Sequence, residues 1–413
     1  MVKRTRLLRI VCFALIFLLL FSGISTLLMA KNYQWKNFRG FYSEKRDSLD
    51  VLYLGGSACY MSWSPYEAWQ KNAYTSYALG VSSMVSFCYE PLVSEALTYQ
   101  NPQLLIIDTR PFIYTYQDLS SGVTSAITFN NSLLPLSVNR LPAAVKSYAL
   151  YKQAVADGTW SGSDETFMSL LLDISRFHSM WQKLDENYFP PSADSLPYNY
   201  SKGLYGVPDA NPVALSDNST VAAVKETNAD AMSDLLSLLD YLDRKGIDAL
   251  FVVAPSAETA EQKAEYNFLA SIVEARGYGF LDANDHIEDM ALNGDTDFWN
   301  DNHLNIFGAE KYTAFLSDYI SRNYTLKNDH SAAVNTDWSA GCDAWLRISA
   351  AIKAHEFSVE DGTMVRGLIQ CSHFTQRGLS HEDKKPKPFS IYLLCSYSYA
   401  PLFRRVLPVY SQG

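Results

Sequence analysis

The sequence predicts a three-layer α/β sandwich with a mainly parallel sheet, set behind one apolar amino-terminal helix. Three observations predict it. Short, wholly apolar runs closed by glycine or a polar residue alternate with amphipathic segments at the spacing of βαβ units. Residues 10–30 are uncharged and follow Lys3, Arg4, Arg6 and Arg9. The chain of 413 residues is 48% hydrophobic and 19% charged. That is enough to bury a large core, which excludes a disordered, collagen-like or disulfide-stapled chain.

At 1.5 Å per residue the uncharged run covers a hydrocarbon layer roughly 30 Å thick. The positive charges before it put the amino terminus in the cytoplasm and everything after Lys31 outside. Gly23 and Ser25 allow the other reading, a signal peptide cut after Ser25, but the length of the run and the lack of an A-x-A site favour an anchor. The expected organisation is a basic stub and single transmembrane helix over 1–31, then an α/β domain over 32–327 with an insertion at about 113–228. A weakly ordered carboxyl-terminal extension over 328–413 completes it.

Each element has its own signal. Val51 to Leu54 is an apolar run closed by Gly55 and Gly56, a buried strand ending in a tight turn. Ser64-Pro65-Tyr66-Glu67 predicts a helix start with a capping box, Pro at the first helical position and Glu at the third. Tyr77 to Leu79 runs into Gly80, and Leu104 to Asp108 is a second buried-strand pattern. Later, Met232, Leu235, Leu236, Leu239 and Leu242 share one helical face and Gly246 stands where that helix should stop. Ala249 to Ala254 predicts a strand, about Ala257 to Ala275 a helix and Phe280 to Asp282 a short strand. Tyr312, Phe315, Leu316, Tyr319 and Ile320 mark a last amphipathic helix. Between about Phe112 and Asn228 the alternation is lost, in a stretch too long for a plain loop. From Phe357 onward basic residues outnumber acidic ones and no period is visible.

Charge and cysteines narrow the chemistry. Asp+Glu 44 against Lys+Arg 34 gives a net charge of -10, which disfavours nucleic acid as a partner. An aromatic content of 14%, with 27 Tyr, suits a surface that meets sugars or a membrane interface. Cys12, Cys59, Cys88, Cys342, Cys371 and Cys395 form no CxxC pair and no metal-ligand spacing, and there is no glycine-rich phosphate loop. No cofactor is expected.

Two segments carry candidate chemistry. Ser57 follows the first strand directly, where a parallel sheet has its ligand crevice, and the glycines before it allow close backbone approach. His303 lies just before the last helix among Asp297, Asn300 and Asp301, which could hold its ring in one tautomer while the other nitrogen takes a proton. Taken alone, Gly-Gly-Ser is an ordinary turn and a loop histidine is usually a packing residue. The order Ser, Asp, His, with the first and last units converging on one sheet edge, points to a nucleophile with its base.

These segments resemble the SGNH, or GDSL-like, hydrolases and acyltransferases, in their membrane-anchored bacterial branch. DVLYLGGSACY carries Ser57, SYALG carries Gly80, NPQLLIIDTRPF follows, and NDNHLNIFGAEKYT carries His303. RFHSMW, from Arg176 to Trp181, and SKGLY, from Ser201 to Tyr205, are also similar. The resemblance covers about Asp50 to Tyr324 and implies a flavodoxin-like sheet. It implies that Ser57 attacks an acyl ester, that His303 is its base, and that an acid nearby orients the ring.

The chain departs from that pattern twice. Three residues before the histidine, where the acid usually stands, it has Asn300. Asp301 is the favoured orienter, with Asn300 or Asp297 as alternatives. The usual Gly-x-Asn-Asp block is missing, and Asp108-Thr109-Arg110 is its nearest equivalent. The Ser57 and Gly80 N–H groups are then the oxyanion donors, while Arg110 either adds charge there or pairs with Asp108. Arg176 and His178 are weaker candidates for contact with an anionic or sugar substrate. The resemblance implies a single-pass protein of the cytoplasmic membrane whose extracytoplasmic domain acts on a cell-envelope polysaccharide or teichoic-type polymer beside a multi-spanning acyltransferase. The alternative from another class is a non-catalytic docking or polymer-binding partner of such an enzyme.

Overall fold

The computed structural model describes residues 2–29, 32–117, 126–162, 164–184, 196–359 and 363–364. Two helices, α1 (Val2–Leu28) and α2 (Tyr33–Ser43), precede the sheet. Then come β1 (Val51–Gly55), α3 (Ser57–Ser62), α4 (Pro65–Asn72), β2 (Ser76–Gly80), α5 (Tyr89–Ala96) and β3 (Leu104–Asp108). After β3 the chain makes an excursion through α6 (Ala126–Phe129), α7 (Arg140–Ala156), α8 (Phe167–Leu171) and α9 (Asp173–Phe177). It returns to the sheet with α10 (Ala229–Lys245), β4 (Ala249–Val253), α11 (Ala260–Ala275) and β5 (Gly279–Asp282). A small hairpin of β6 (Phe298–Asn300) and β7 (His303–Leu304) leads into α12 (Ile306–Asn323). The helix α13 (Ala332–Lys353) and the short pair β8 (Phe357–Ser358) and β9 (Thr363–Met364) close the described part.

Five strands form one parallel sheet in the order β2-β1-β3-β4-β5. Side chains alternate cleanly between its faces. Leu52, Leu54, Leu105, Ile107, Phe251 and Val253 belong to one core, whereas Tyr53, Ile106, Leu250 and Val252 belong to the other. Helices cover both faces, since α5, α10 and α11 pack into the first core and α3 and α12 into the second. A sheet apolar on both sides explains why its strands read as unbroken apolar runs. In this order the chain reverses direction between β1 and β3, which opens a crevice at the carboxyl ends of those strands.

The last two strands begin or end within a residue of their expected bounds, and Gly246, left-handed at φ 64°, ends α10. The capping box at Ser64 does not form. Pro65 does begin α4, but the Ser64 Oγ is buried without a partner among the described residues and its backbone N–H donates to Thr313 Oγ1 at 2.9 Å. Glu67 turns instead toward Glu310, itself paired with Lys353, and burial together with Glu310 pushes the Glu67 carboxyl up to about 8.

The extension also differs from expectation. Far from being weakly ordered, Ala332–Lys353 is a 22-residue helix capped by Ser331, whose Oγ accepts the Val334 N–H. Trp338, Cys342 and Trp345 recur at helical spacing and pack on Tyr66 and Trp69 of α4, with ring centroids 5.4 Å apart for both Tyr66–Trp338 and Trp69–Trp338. Of the tail, Cys371 and Cys395 lie outside the described residues.

The open side of β2 is covered. Lys202 and Gly203 form a turn in left-handed backbone, and Ala78 N–H donates to Lys202 O at 3.0 Å. The Lys202 ammonium is buried against both oxygens of Glu44, at 2.7 and 2.8 Å, over the Trp338 ring. Among the described residues no helix is long and apolar enough to cross a membrane. The helix α1 packs on α9 and leaves Ile10, Phe13, Leu19 and Leu20 exposed.

Trp345 is the test of α13 as part of the folded body. Trp345→Ala removes a side chain that is only 2% exposed. It should lower the unfolding free energy by about 3–5 kcal/mol in a denaturant titration of the whole protein. A weakly ordered extension predicts no change.

Candidate active site

The turn that carries Ser57 forms where β1 meets α3. Gly55 lies so close to β3 that a β-carbon there would stand 2.3 Å from Asp108 Cβ. Asp108, buried at the end of β3, accepts the Gly56 N–H on Oδ2 at 3.0 Å and the Arg110 N–H on Oδ1 at 3.2 Å. Burial raises its carboxyl pKa against the pull of Arg110 and of these two N–H groups. Ser57 follows as the first residue of α3, with its backbone N–H among those a helix start leaves unpaired.

His303 reaches the same point from the other end of the chain. Its Nε2 is 2.6 Å from Ser57 Oγ. The opposite nitrogen, Nδ1, is 2.8 Å from Asn300 Oδ1. That amide oxygen also accepts the Asn302 N–H at 2.9 Å, which fixes which end of the amide faces the ring. An amide oxygen can only accept, so Nδ1 carries the proton and Nε2 is left to accept the Ser57 hydroxyl proton.

The orienter is therefore Asn300, and the expectation for Asp301 is corrected. The reason is the β6–β7 hairpin, in which Asn300 and His303 are directly paired while Asp301 and Asn302 form the turn between them. Side chains of a cross-strand pair lie on one face and meet. Asp301 is exposed, and its carbonyl accepts the Ala257 N–H at 2.7 Å. Asp297 is buried elsewhere, with Oδ2 on Lys311 Nζ at 2.6 Å and on the Asn293 N–H at 2.7 Å, so it ties the hairpin's approach to α12.

Arg110 does not pair its side chain with Asp108 as one reading expected. Its guanidinium donates to Asn302 O at 2.6 Å and to Ala254 O at 3.2 Å, and makes no ion pair with Asp108. It clasps the His303 hairpin to the end of β4, a role no local sequence signal could show. Its charge also acts on the base. Burial, with the positive charge of Arg110 added, pushes the His303 imidazole down from 6.5 to about 3.

Gly80 lies beside the Gly56–Ser57 turn, where a β-carbon would come within 2.9 Å of Gly56 O and 2.6 Å of the Tyr60 ring. Val81 N–H donates to Gly55 O, so the alternation of the parallel ladder turns the Gly80 N–H away from β1. Arg176 and His178 are not brought to this site. Arg176 is held by Glu165 at 2.9 Å and by Thr128, and the exposed His178 has Nδ1 at 2.9 Å from Ser175 O, on elements that pack against α1.

Searched against models of known families and against curated proteins, the chain matches none.

Buried and near Arg110, with a neutral amide at Nδ1, the His303 imidazole stays unprotonated far into acid. For an ester substrate kcat/KM should hold level from neutral pH to about pH 5 in the native protein. Asn300→Asp puts a carboxylate beside Nδ1, which raises the imidazole pKa by about 1–3 units and moves the acid limb up by as much. An unmoved limb would detach Asn300 from the base. The same shift reaches stability. Between about pH 3 and 6.5 the unfolded chain binds the His303 proton and the folded chain does not, so this residue's contribution falls as pH drops through that window. His303→Gln should flatten that part of the stability–pH curve.

Proposed function

We propose that the protein is a serine acyl-ester hydrolase or O-acyltransferase of SGNH type. The observation that carries this reading is the 2.6 Å contact between Ser57 Oγ and His303 Nε2 at the carboxyl edge of a parallel sheet. As the Oγ–acyl carbon bond forms, the hydroxyl proton passes to Nε2 and negative charge collects on the carbonyl oxygen of the ester. The bond from the acyl carbon to the leaving alcohol then breaks, and the alcohol oxygen takes the proton from Nε2 as the acyl-enzyme forms. Water or a sugar hydroxyl next attacks the acyl carbon and gives its proton to Nε2, and the Oγ–acyl bond breaks as Ser57 Oγ takes that proton back. The Ser57 N–H is the candidate donor to the oxyanion, since the Gly80 N–H expected beside it is turned away from β1.

The membrane setting belongs to the same proposal. The uncharged run over 10–30 and the exposed apolar side chains of α1 support a single-pass anchor of the cytoplasmic membrane with the sheet domain outside. The proposed acceptor is a polysaccharide or teichoic-type polymer of a bacterial envelope, with a multi-spanning acyltransferase as the proposed donor partner. One observation favours a second reading, a docking or polymer-binding domain: an amide stands where a carboxylate would stabilise the imidazolium.

Labelling with a fluorophosphonate probe separates the two. The native protein should label, and Ser57→Ala should not. His303→Ala should slow hydrolysis of 4-nitrophenyl acetate by about 10² to 10⁴. A folded native protein that never labels supports the docking domain.

A further inference from the structure

Between α1, α2 and the chain around residues 132–136 and 171–173 lies a cavity of about 430 Å³, lined by neither Ser57 nor His303. Its walls are largely apolar, with Leu18 and Phe21 from α1, Phe38 from α2, and Leu133. That volume is in the range of small-molecule sites, and such sites pair apolar walls with a few placed polar groups. Three polar side chains decide what this one would take. Asp173 is already neutralised by the buried Arg140 at 2.7 Å. Arg39 lines the same cavity with its guanidinium 5.2 Å over the Trp35 ring and makes no ion pair with a described carboxylate. Ser25 Oγ, on α1, is buried with no hydrogen-bond partner among the described residues. Among the described residues, a cation without an ion pair and a hydroxyl without a hydrogen-bond partner therefore face an apolar space, which calls for a ligand that is anionic and oxygen-rich at one end and hydrocarbon at the other.

The cavity is continuous with the exposed apolar side chains of α1, since Leu18 belongs to both. We propose that it is a binding site for one membrane phospholipid with an anionic headgroup, whose acyl chain lies between α1 and α2 and whose headgroup phosphate meets Arg39. The site rests on the membrane placement of α1 and is independent of the Ser57 chemistry. A lipid held there would fix the sheet domain against its own anchor.

Trp35 lines the cavity and serves as reporter. The full chain in detergent micelles is titrated with phosphatidylglycerol brominated in its acyl chains, and tryptophan fluorescence is read. Quenching should saturate near one lipid per chain and be mostly lost in Trp35→Phe. Brominated phosphatidylcholine should bind more weakly, and Arg39→Gln should weaken phosphatidylglycerol about tenfold. Ser25→Phe should abolish saturation by filling the space, and Arg39→Gln keeps the test decisive if that variant does not fold. Quenching that never saturates, or that ignores both headgroup charge and Arg39→Gln, overturns the site. Flotation of the chain with vesicles tests the anchor separately. A chain that floats without saturable quenching overturns the lipid site alone, and one that does neither overturns both.

Discussion

Arg110 and Asp108, two residues apart at the end of the central strand, hold three distant pieces of chain at one sheet edge. Asp108 takes the Gly56 N–H and so shapes the turn that presents Ser57. Arg110 takes Asn302 O and Ala254 O and so fixes the hairpin that presents His303. Both side chains are buried, where hydrogen bonds to charged groups are strong and an unmade one is costly. The Ser57–His303 contact spans 246 residues of sequence and depends on this pair of clamps rather than on local structure.

The clamp has a chemical side effect. By keeping a guanidinium near the imidazole it adds to the penalty that burial already imposes on a protonated ring. The hairpin supplies an amide rather than a carboxylate at Nδ1, so the tautomer is fixed without a compensating charge. As the proposed general base, such a ring is available to accept a proton well into acid but drives the transfer weakly, since general-base efficiency grows with basicity. The arrangement suits a reaction that supplies its own stabilising negative charge in the transition state, close to where the imidazolium forms.

Much of the sheet was legible because its strands are apolar on both faces and bounded by glycine or polar residues, as at Val51–Gly55 and Leu104–Asp108. Ser57 and His303 were legible from their places at the ends of the first and last units. What escaped was decided by contacts across long stretches of chain. Asp301 looked the better orienter on charge alone, but a two-residue turn points it away from the ring. Glu67 fits a capping box by spacing and is drawn off by Glu310 and α13. The spacing of Trp338, Cys342 and Trp345 was readable as a helix face, yet nothing local showed that Tyr66 and Trp69 would receive it. The Arg110 clasp had no sequence signal at all.

The turn at Lys202 and Gly203 does more than fill space beside β2. An outermost strand offers a row of unpaired amide groups that can template a strand from another molecule. Here Ala78, in the middle of that strand, is already engaged by Lys202 O, and the neutralised lysine beneath pins the turn in place. Loss of the Glu44 partner would therefore show itself first as intermolecular sheet growth, a failure of solubility arising far from any reacting atom.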